Sequence, residues 1–227
     1  MSSNNENHLS SRDTEHLRQF YKNEFNLHGD SHSSVRYASR ESQWRRYDIL
    51  TEISGLANKT ILDYGCGTGH LLEYLNEKDI RIKDYVGIEL LPEFLEICEK
   101  KFSSATFLQS LSDYKKPFDI GIVSGTFNDI LSNNRDFWKK AISDLFLSCN
   151  DGIAFNMMSK YVDFENPKLY YEDPSYVLNF VKENLSPFVT LRHDYLCKVD
   201  SIPYEFSIYV YKNIKEKNTQ VAMLFIC

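Results

Sequence analysis

A turn rich in glycine carries the clearest chemical signal in the sequence. After the strand-like residues 61–63, residues 65–69 read GCGTG, and an apolar helical pattern follows at once. Glycines at the end of a strand let the backbone approach a bulky ligand, and the first amides of a helix attract a carboxylate or a phosphate. Glu89 ends the next predicted strand, where doubly wound nucleotide sites place a carboxylate against the ribose. The spacing predicts a site for a nucleotide-like ligand.

Two details of this turn favour one ligand over another. Dinucleotide-binding turns usually read G-x-G-x-x-G, whereas the glycines here stand at every second position. Asp63 precedes the turn, and its carboxylate can pair with the ammonium of a methionine group, directly or through water, or accept hydrogen bonds from the amides of the turn. The same carboxylate would repel a pyrophosphate. Both details favour S-adenosylmethionine over a dinucleotide.

The run ILDYGCGTG, followed by YVGIELLPEFLEIC, resembles motifs I and II of the class I S-adenosylmethionine-dependent methyltransferases, and the likeness covers about residues 60–156. It implies an enzyme that uses S-adenosyl-L-methionine and releases S-adenosyl-L-homocysteine. By this resemblance the glycine turn wraps the methionine part, Glu89 binds the ribose and Leu90 packs on the adenine. The residues predicted to bind the cofactor are Asp63, Gly65, Cys66, Gly67, Gly69, Glu89, Leu90, Gln109, Ser110 and Ser124.

The sequence departs from the family after the third predicted strand. Members often carry an aspartate there that reads the adenine amino group, whereas this chain has Ser110 with Gln109 beside it. After the fourth strand, residues 124–129 read SGTFND, where the family usually positions the methyl acceptor. This run has neither the N-P-P-Y pattern of enzymes that methylate amino groups of nucleic acids nor the Pro-Cys nucleophile of cytosine enzymes.

Methyl transfer from a sulfonium needs alignment of the reactants and exclusion of water, but no nucleophilic side chain. A general base helps only for a hydroxyl or a protonated amine. The candidates for catalysis or orientation are His28, Asn128, His193 and Tyr195, and those for substrate contacts are Tyr21, Tyr37, Arg40, Arg46, Phe127 and Tyr161. The more common roles are a packed or solvated ring for His193, a small turn residue for Cys66 and a solvated helix face for the arginines of residues 36–46.

The elements around these residues predict an α/β domain. Two helices, at about residues 14–25 and after a cap at Ser39, precede a strand–helix alternation that begins near residue 60. The runs 188–196 and 205–211 resemble the antiparallel sixth and seventh strands of the family. We therefore predict a doubly wound, mostly parallel seven-stranded sheet with an antiparallel last strand. Residues 1–56 would form an extension with lid helices and residues 57–227 the methyltransferase core, while the apolar run 221–227 receives no assignment.

Composition limits the partners. The 227 residues suffice for one α/β domain, and a formal net charge of -6 opposes a broad nucleic-acid footprint, so nucleic acid is an unlikely partner. The five scattered cysteines contain no CxxC pair, which predicts neither a disulfide framework nor a metal site. A polar N-terminus and the lack of a run of about 20 apolar residues predict a soluble, cytoplasmic protein without a membrane partner. The oligomeric state has no sequence signal.

The leading function is methyl transfer to an O or N atom of a small molecule. The acidic balance, the lack of an appended binding domain and the lid-like N-terminus favour it. Three alternatives stay open: an RNA or protein methyltransferase, a non-catalytic cofactor-binding or partner domain, and, more distantly, a nicotinamide-dependent oxidoreductase.

Overall fold

The structure is a computed structural model that describes residues 9–198 and 201–213. Its strands are β1 (Thr60–Tyr64), β2 (Asp84–Ile88), β3 (Thr106–Leu108), β4 (Phe118–Val123), β5 (Cys149–Ser159), β6 (Tyr171–Glu172), β7 (Val189–Arg192) and β8 (Glu205–Tyr211). Its helices are α1 (Ser11–His28), α2 (Arg40–Leu50), α3 (His70–Glu77), α4 (Pro92–Lys101), α5 (Asn134–Ser148) and α6 (Pro174–Asn184). Short 3₁₀ turns cover Thr51–Ile53 and Leu111–Asp113.

The strands form one sheet in the order β3-β2-β1-β4-β5-β8-β7. Strands β1 to β5 run parallel to one another, whereas β8 runs antiparallel to both β5 and β7. The predicted doubly wound sheet with its antiparallel last strand is confirmed. The two-residue β6, which pairs with the end of β5, is an additional strand in a connection that has no strand pattern in the sequence.

Burial explains why the parallel strands are recognisable. All five residues of β1 are buried, as expected for a strand covered by helices on both faces. One face packs against α5 and α6 through Trp138, Phe155 and Val181, and the other packs against α2 and α3 through Leu50 and Leu71. The predicted strand 205–211 has the observed bounds. The predicted strand 188–196 is longer than the observed β7, because the pairing of β7 with β8 ends at Arg192.

The two helices of the N-terminal extension begin at side-chain caps. The hydroxyl of Ser10 accepts a hydrogen bond of 3.1 Å from the amide of Asp13, so α1 begins three residues before the predicted residue 14. Ser39 caps α2 as predicted, by accepting from the amide of Ser42 at 3.1 Å. Between these helices, residues 29–39 form a loop.

Helix α1 crosses the edge of the sheet at which the parallel strands end. Phe25 contacts Phe94 of α4, with 5.4 Å between ring centroids, and Leu17 packs into the core. No helix among residues 9–198 and 201–213 is long and apolar enough to cross a membrane. The apolar run 221–227 lies outside the described residues.

Candidate functional site

A cavity of about 840 Å³ lies where the parallel strands end. Residues that follow β1, β2 and β3 line one side of it, which we call the glycine end. Residues that follow β4 and β5, together with the start of β8, line the other side, which we call the switch end. The extension covers both ends with Tyr21, Val35 and Tyr37. This edge of an open α/β sheet, at the point where the strand order reverses, is the usual place for a ligand.

The glycine turn has a backbone conformation that residues other than glycine would strain. Gly65 and Gly67 have φ values of 80° and 55°, in the left-handed region. A Cβ on Gly65 would stand 2.3 Å from Thr126 Oγ1. Both glycines line the cavity, whereas Gly69 does not. Gly69 instead begins α3 with a φ of 85°, and a Cβ there would stand 2.7 Å from the ring of Phe102.

Glu89 is a buried carboxylate held only by backbone amides among the described residues. Its Oε2 accepts from the amide of Gly67 at 2.9 Å, and its Oε1 accepts from the amide of Leu91 at 3.0 Å. Each carboxylate oxygen can accept a second hydrogen bond, so both keep capacity for a ligand in the cavity. Burial raises the pKa of Glu89, although the amide hydrogen bonds oppose that shift.

Asp63 lies beside Glu89 and is also buried. Its Oδ2 accepts a hydrogen bond of 2.5 Å from the Tyr85 hydroxyl. Burial, opposed by this hydrogen bond and reinforced by the charge of Glu89, raises the pKa of Asp63 to about 7. Neither carboxylate has a cationic partner in the part of the chain that the structure describes. The glycine end therefore favours a positively charged ligand.

Cys66 acts as a small turn residue. Its thiol and that of Cys98 both donate to the carbonyl oxygen of Gly67, with sulfur–oxygen distances of 3.7 and 3.3 Å. Hydrogen bonding with Cys98, together with burial, raises the pKa of Cys66, which disfavours the reactive thiolate.

At the end of β3 the structure separates the two residues predicted at the adenine. Gln109 lines the cavity and donates to the carbonyl oxygen of Leu90 at 3.4 Å, and Leu90 also lines the cavity. Ser110 points elsewhere, because its hydroxyl caps the turn at Leu111–Asp113 by accepting from the amide of Ser112 at 3.2 Å. Gln109 is therefore the polar side chain available to the cavity at this position.

The loop after β4 shapes the switch end. The amide of Gly125 donates to Asn156 Oδ1 at 2.8 Å, and the hydroxyls of Ser124 and Tyr37 share a hydrogen bond of 3.0 Å. Burial raises the pKa of Tyr37 to about 12, so the phenol is neutral at physiological pH. Asn128 accepts from the amide of Met158 at 3.3 Å through Oδ1, which leaves its Nδ2 as a donor at the cavity.

A buried ion pair supports this loop from behind. Arg46 Nε donates to both oxygens of Glu205, at 2.8 and 2.9 Å, and Asn156 Nδ2 donates to Glu205 at 2.8 Å. Since Asn156 also holds the amide of Gly125, the chain of contacts runs from α2 through β8 and β5 to the loop. Arg46 was predicted to reach a substrate, but its guanidinium is neutralised by Glu205.

The extension is fastened to the switch end by a cluster that we call the latch: Tyr21, Arg36 and Asp129. The Tyr21 hydroxyl donates to Asp129 Oδ2 at 2.6 Å, and Arg36 forms an ion pair with Oδ1 of the same carboxylate. Arg36 also donates to the carbonyl oxygen of Lys168 at 3.2 Å, which ties in the connection after β5. The latch therefore holds the extension against the switch end of the cavity.

The structure does not bring three of the four catalytic candidates to the cavity. His28 is exposed at the end of α1, 3.9 Å from Glu24. The ring of His193 shares a hydrogen bond of 3.2 Å with the carbonyl oxygen of Pro203, and the Tyr195 hydroxyl is buried against Ser207 at 2.7 Å. The alternation that placed His193 and Tyr195 on one face of a strand does not apply, since β7 ends before both of them. Asn128 lines the cavity.

Three of the six substrate candidates also lie elsewhere. Arg40 is exposed, pairs with Glu77 and stacks on Trp44 with 4.4 Å between the guanidinium and the ring centroid. Phe127 is buried in the core against Phe137, and Tyr161 is 58% exposed on the surface. Aromatic and charged residue types alone do not distinguish these environments. The remaining candidates, Tyr21, Tyr37 and Arg46, line the cavity.

Sequence reasoning missed several lining residues. Asp129 and Arg36 form the latch, and Glu205 neutralises Arg46, but no local spacing relates these residues. His70, at the start of α3, shares a hydrogen bond of 3.1 Å with Gln43 and lies 3.4 Å from Asp30. His70 directly follows the glycine turn, and this position was the one sequence feature that could have placed it at the cavity.

Comparison with known families identifies the fold. The family model described as a methyltransferase domain matches residues 37–171, more than half of the chain and including the glycine turn and the switch end. The chain belongs to this family. The predicted class, an S-adenosylmethionine-dependent methyltransferase, is confirmed. No curated protein matches the chain.

Solved methyltransferase structures share the fold at low sequence identity. An S-adenosylmethionine-dependent methyltransferase from Clostridium acetobutylicum ATCC 824 is 17% identical, with a TM-score of 0.56, 83% of this chain covered and 98% of that chain. The plantazolicin methyltransferase BamL, solved with a desmethyl substrate analogue and S-adenosylhomocysteine, is 18% identical (TM-score 0.59; 89% and 97% covered). The small RNA methyltransferase HEN1 is 16% identical (TM-score 0.56; 76% of this chain, but 25% of HEN1).

Proposed function

We propose that this methyltransferase transfers the methyl group of S-adenosylmethionine to an O or N atom of a small molecule. The observation that carries the proposal is the cavity of about 840 Å³ closed over by the extension. Pockets for one drug-sized ligand range from about 300 to 1,000 Å³. A cavity of this size suits a donor together with a small acceptor, whereas a polymer would require the latch to open.

The residues at the glycine end fit the donor. Gly65 and Gly67 leave free the space that Cβ atoms would fill, and Glu89 retains hydrogen-bonding capacity for the ribose hydroxyls. The uncompensated carboxylate of Asp63 suits a cationic methionine group. Gln109 and Leu90 are placed for the adenine. Predicted cofactor contacts by Gly69 and Ser110 receive no support, because both residues lie outside the cavity lining.

The donor supplies an electrophilic methyl group, so the chain has to orient the acceptor and exclude water. Asn128 Nδ2 can donate to the acceptor and turn a lone pair toward the glycine end. The latch keeps the extension over the cavity, and the ion pair of Arg46 with Glu205 fixes the loop that carries Asn128. These groups act by positioning, and the proton that a hydroxyl or amine acceptor loses on methylation passes to solvent.

Three of the four arginines that would have supported an RNA substrate are paired within the protein, and the fourth, Arg45, is exposed. Arg36 pairs with Asp129, Arg40 with Glu77 and Arg46 with Glu205. Phosphate binding depends on basic side chains that are free to replace counterions. This pairing, together with the net charge of -6, supports a small acceptor over a nucleic acid.

Calorimetric titration of the full chain with S-adenosylhomocysteine tests the donor site. Glu89→Gln should weaken binding about tenfold or more, since a hydrogen bond to a charged group contributes about 1.5–3 kcal/mol. Glu77→Gln, the same change at an exposed helix position, should leave affinity unchanged. A homocysteine-release assay over small phenols and amines, transfer RNA and histone peptides then tests the acceptor. Turnover confined to RNA or peptide would contradict the proposal.

A further inference from the structure

The mouth of the switch end is apolar. Phe164 and Ile202 line the cavity although their side chains are 65% and 40% exposed. Met158 and Leu169 continue the same lining. Exposed apolar side chains that are continuous with a cavity mark ligand-binding surfaces, because water contact with them is unfavourable until a ligand covers them. This mouth therefore extends the cavity outward along an apolar path.

The charges in the inner part of this path pair with each other. Arg36 pairs with Asp129 at the switch end. At the mouth, the exposed Asp163 accepts a hydrogen bond from the Tyr204 hydroxyl, and Lys198 is an exposed lining cation. A charged group that passed the mouth into the switch end would have to break the pair of Arg36 and Asp129 or lose its hydration without gaining a partner, and both changes cost free energy.

We propose that the methyl acceptor is an uncharged, largely apolar molecule whose body lies on Phe164 and Ile202 while its reacting atom reaches Asn128. The inference rests on the proposed function, since it assigns an occupant to the switch end of the same cavity. It goes beyond that function by naming the chemistry of the acceptor. The continuity of the apolar mouth with the cavity, and the pairing of Arg36 with Asp129 at the switch end, favour this occupant over an anionic metabolite or a polymer.

Fluorescence titration with N-phenyl-1-naphthylamine, an uncharged probe that brightens in apolar surroundings, tests this assignment. The probe is added to the full chain saturated with S-adenosylhomocysteine, and binding of that nucleoside is measured by calorimetry on the same samples. We expect saturable binding that Phe164→Ser weakens about fivefold to tenfold, as the loss of part of an aromatic contact predicts. Leu147→Ser, at a side chain that is 75% exposed at the end of α5, is the matched control and should change nothing.

Each other outcome has a defined meaning. If the nucleoside binds but the probe does not saturate, or if the Phe164→Ser and Leu147→Ser variants bind it equally, the acceptor assignment is wrong while the donor site stands. Tighter binding of the anionic probe 8-anilino-1-naphthalenesulfonate than of the neutral one would likewise overturn an uncharged acceptor. If the nucleoside itself fails to bind, the proposed function fails and this inference falls with it.

Discussion

Replacing Asp63 by asparagine should stabilise the ligand-free protein at high pH. Burial is the main cause that raises the pKa of Asp63 to about 7 from an ordinary 3.8. Between these values the folded protein retains a proton that the unfolded chain has released, so the free energy of unfolding falls as the pH rises from about 4 to about 7. At about 1.4 kcal/mol per pH unit, the full difference corresponds to about 4 kcal/mol.

Asparagine removes this penalty because it carries no charge at any pH. Its side-chain oxygen can still accept the hydrogen bond from Tyr85. The variant should therefore match the wild type below about pH 4, exceed it by about 1.6 kcal/mol at pH 5 and exceed it by up to about 4 kcal/mol at pH 8. Glu89, whose pKa burial also raises, keeps a residual slope of the same sign in both proteins.

The same substitution should weaken the donor site, since a carboxylate that faces a cationic ligand is lost. A charged hydrogen bond contributes about 1.5–3 kcal/mol, which predicts roughly tenfold weaker binding of S-adenosylmethionine or more. Greater stability combined with weaker binding is the signature of a charge that is kept for a ligand.

Urea denaturation at pH 5 and pH 8, in the absence of ligand, measures the effect on stability. Asp79→Asn is the matched control, because that carboxylate is 83% exposed and should show no such difference between the two pH values. The reasoning is refuted if the Asp63→Asn variant is less stable than the wild type at pH 8, or if its stability difference is the same at both pH values.

Three further substitutions test the surrounding structure. Gly65→Ala should lower the urea midpoint, since a side chain in the left-handed region costs about 1–2 kcal/mol and its Cβ would strike Thr126; an unchanged midpoint would contradict the backbone conformation. Glu205→Leu should destabilise the protein by about 3–5 kcal/mol because Arg46 stays buried without an anion, and Arg46→Met in the same chain should recover much of that loss. Asp129→Asn should speed proteolysis in the loop between α1 and α2, and equal rates would show that the latch does not hold the extension.

The glycine end was predictable because its function constrains the backbone locally. Positive φ values at Gly65 and Gly67 require a residue type that the sequence displays directly. The position of Glu89 follows from the length of one strand–helix unit, and the four buried residues of β2 after Asp84 give a clear apolar pattern. A ligand that touches mainly backbone and strand ends therefore leaves a readable motif.

The switch end was not predictable because distant segments build it. Arg36 meets Asp129 across 93 residues of sequence, and Arg46 meets Glu205 across 159. No periodicity relates such positions, so the arginines were expected on a solvated helix face. His193 and Tyr195 failed as cavity residues for a related reason, since alternation does not show where pairing with the next strand stops.

The two ends of the cavity differ in how their charges are balanced, and that difference follows from what each must bind. Asp63 and Glu89 lack a cation among the described residues, so the folded protein bears their desolvation until a positive ligand arrives. A donor present at 100 times its dissociation constant would return about 2.7 kcal/mol to the folded state. At the switch end Asp129 already pairs with Arg36, so this carboxylate contributes no affinity for the acceptor. The affinity for an apolar acceptor instead comes from covering Phe164 and Ile202. Donor binding should consequently respond to pH near 7, while acceptor binding should not.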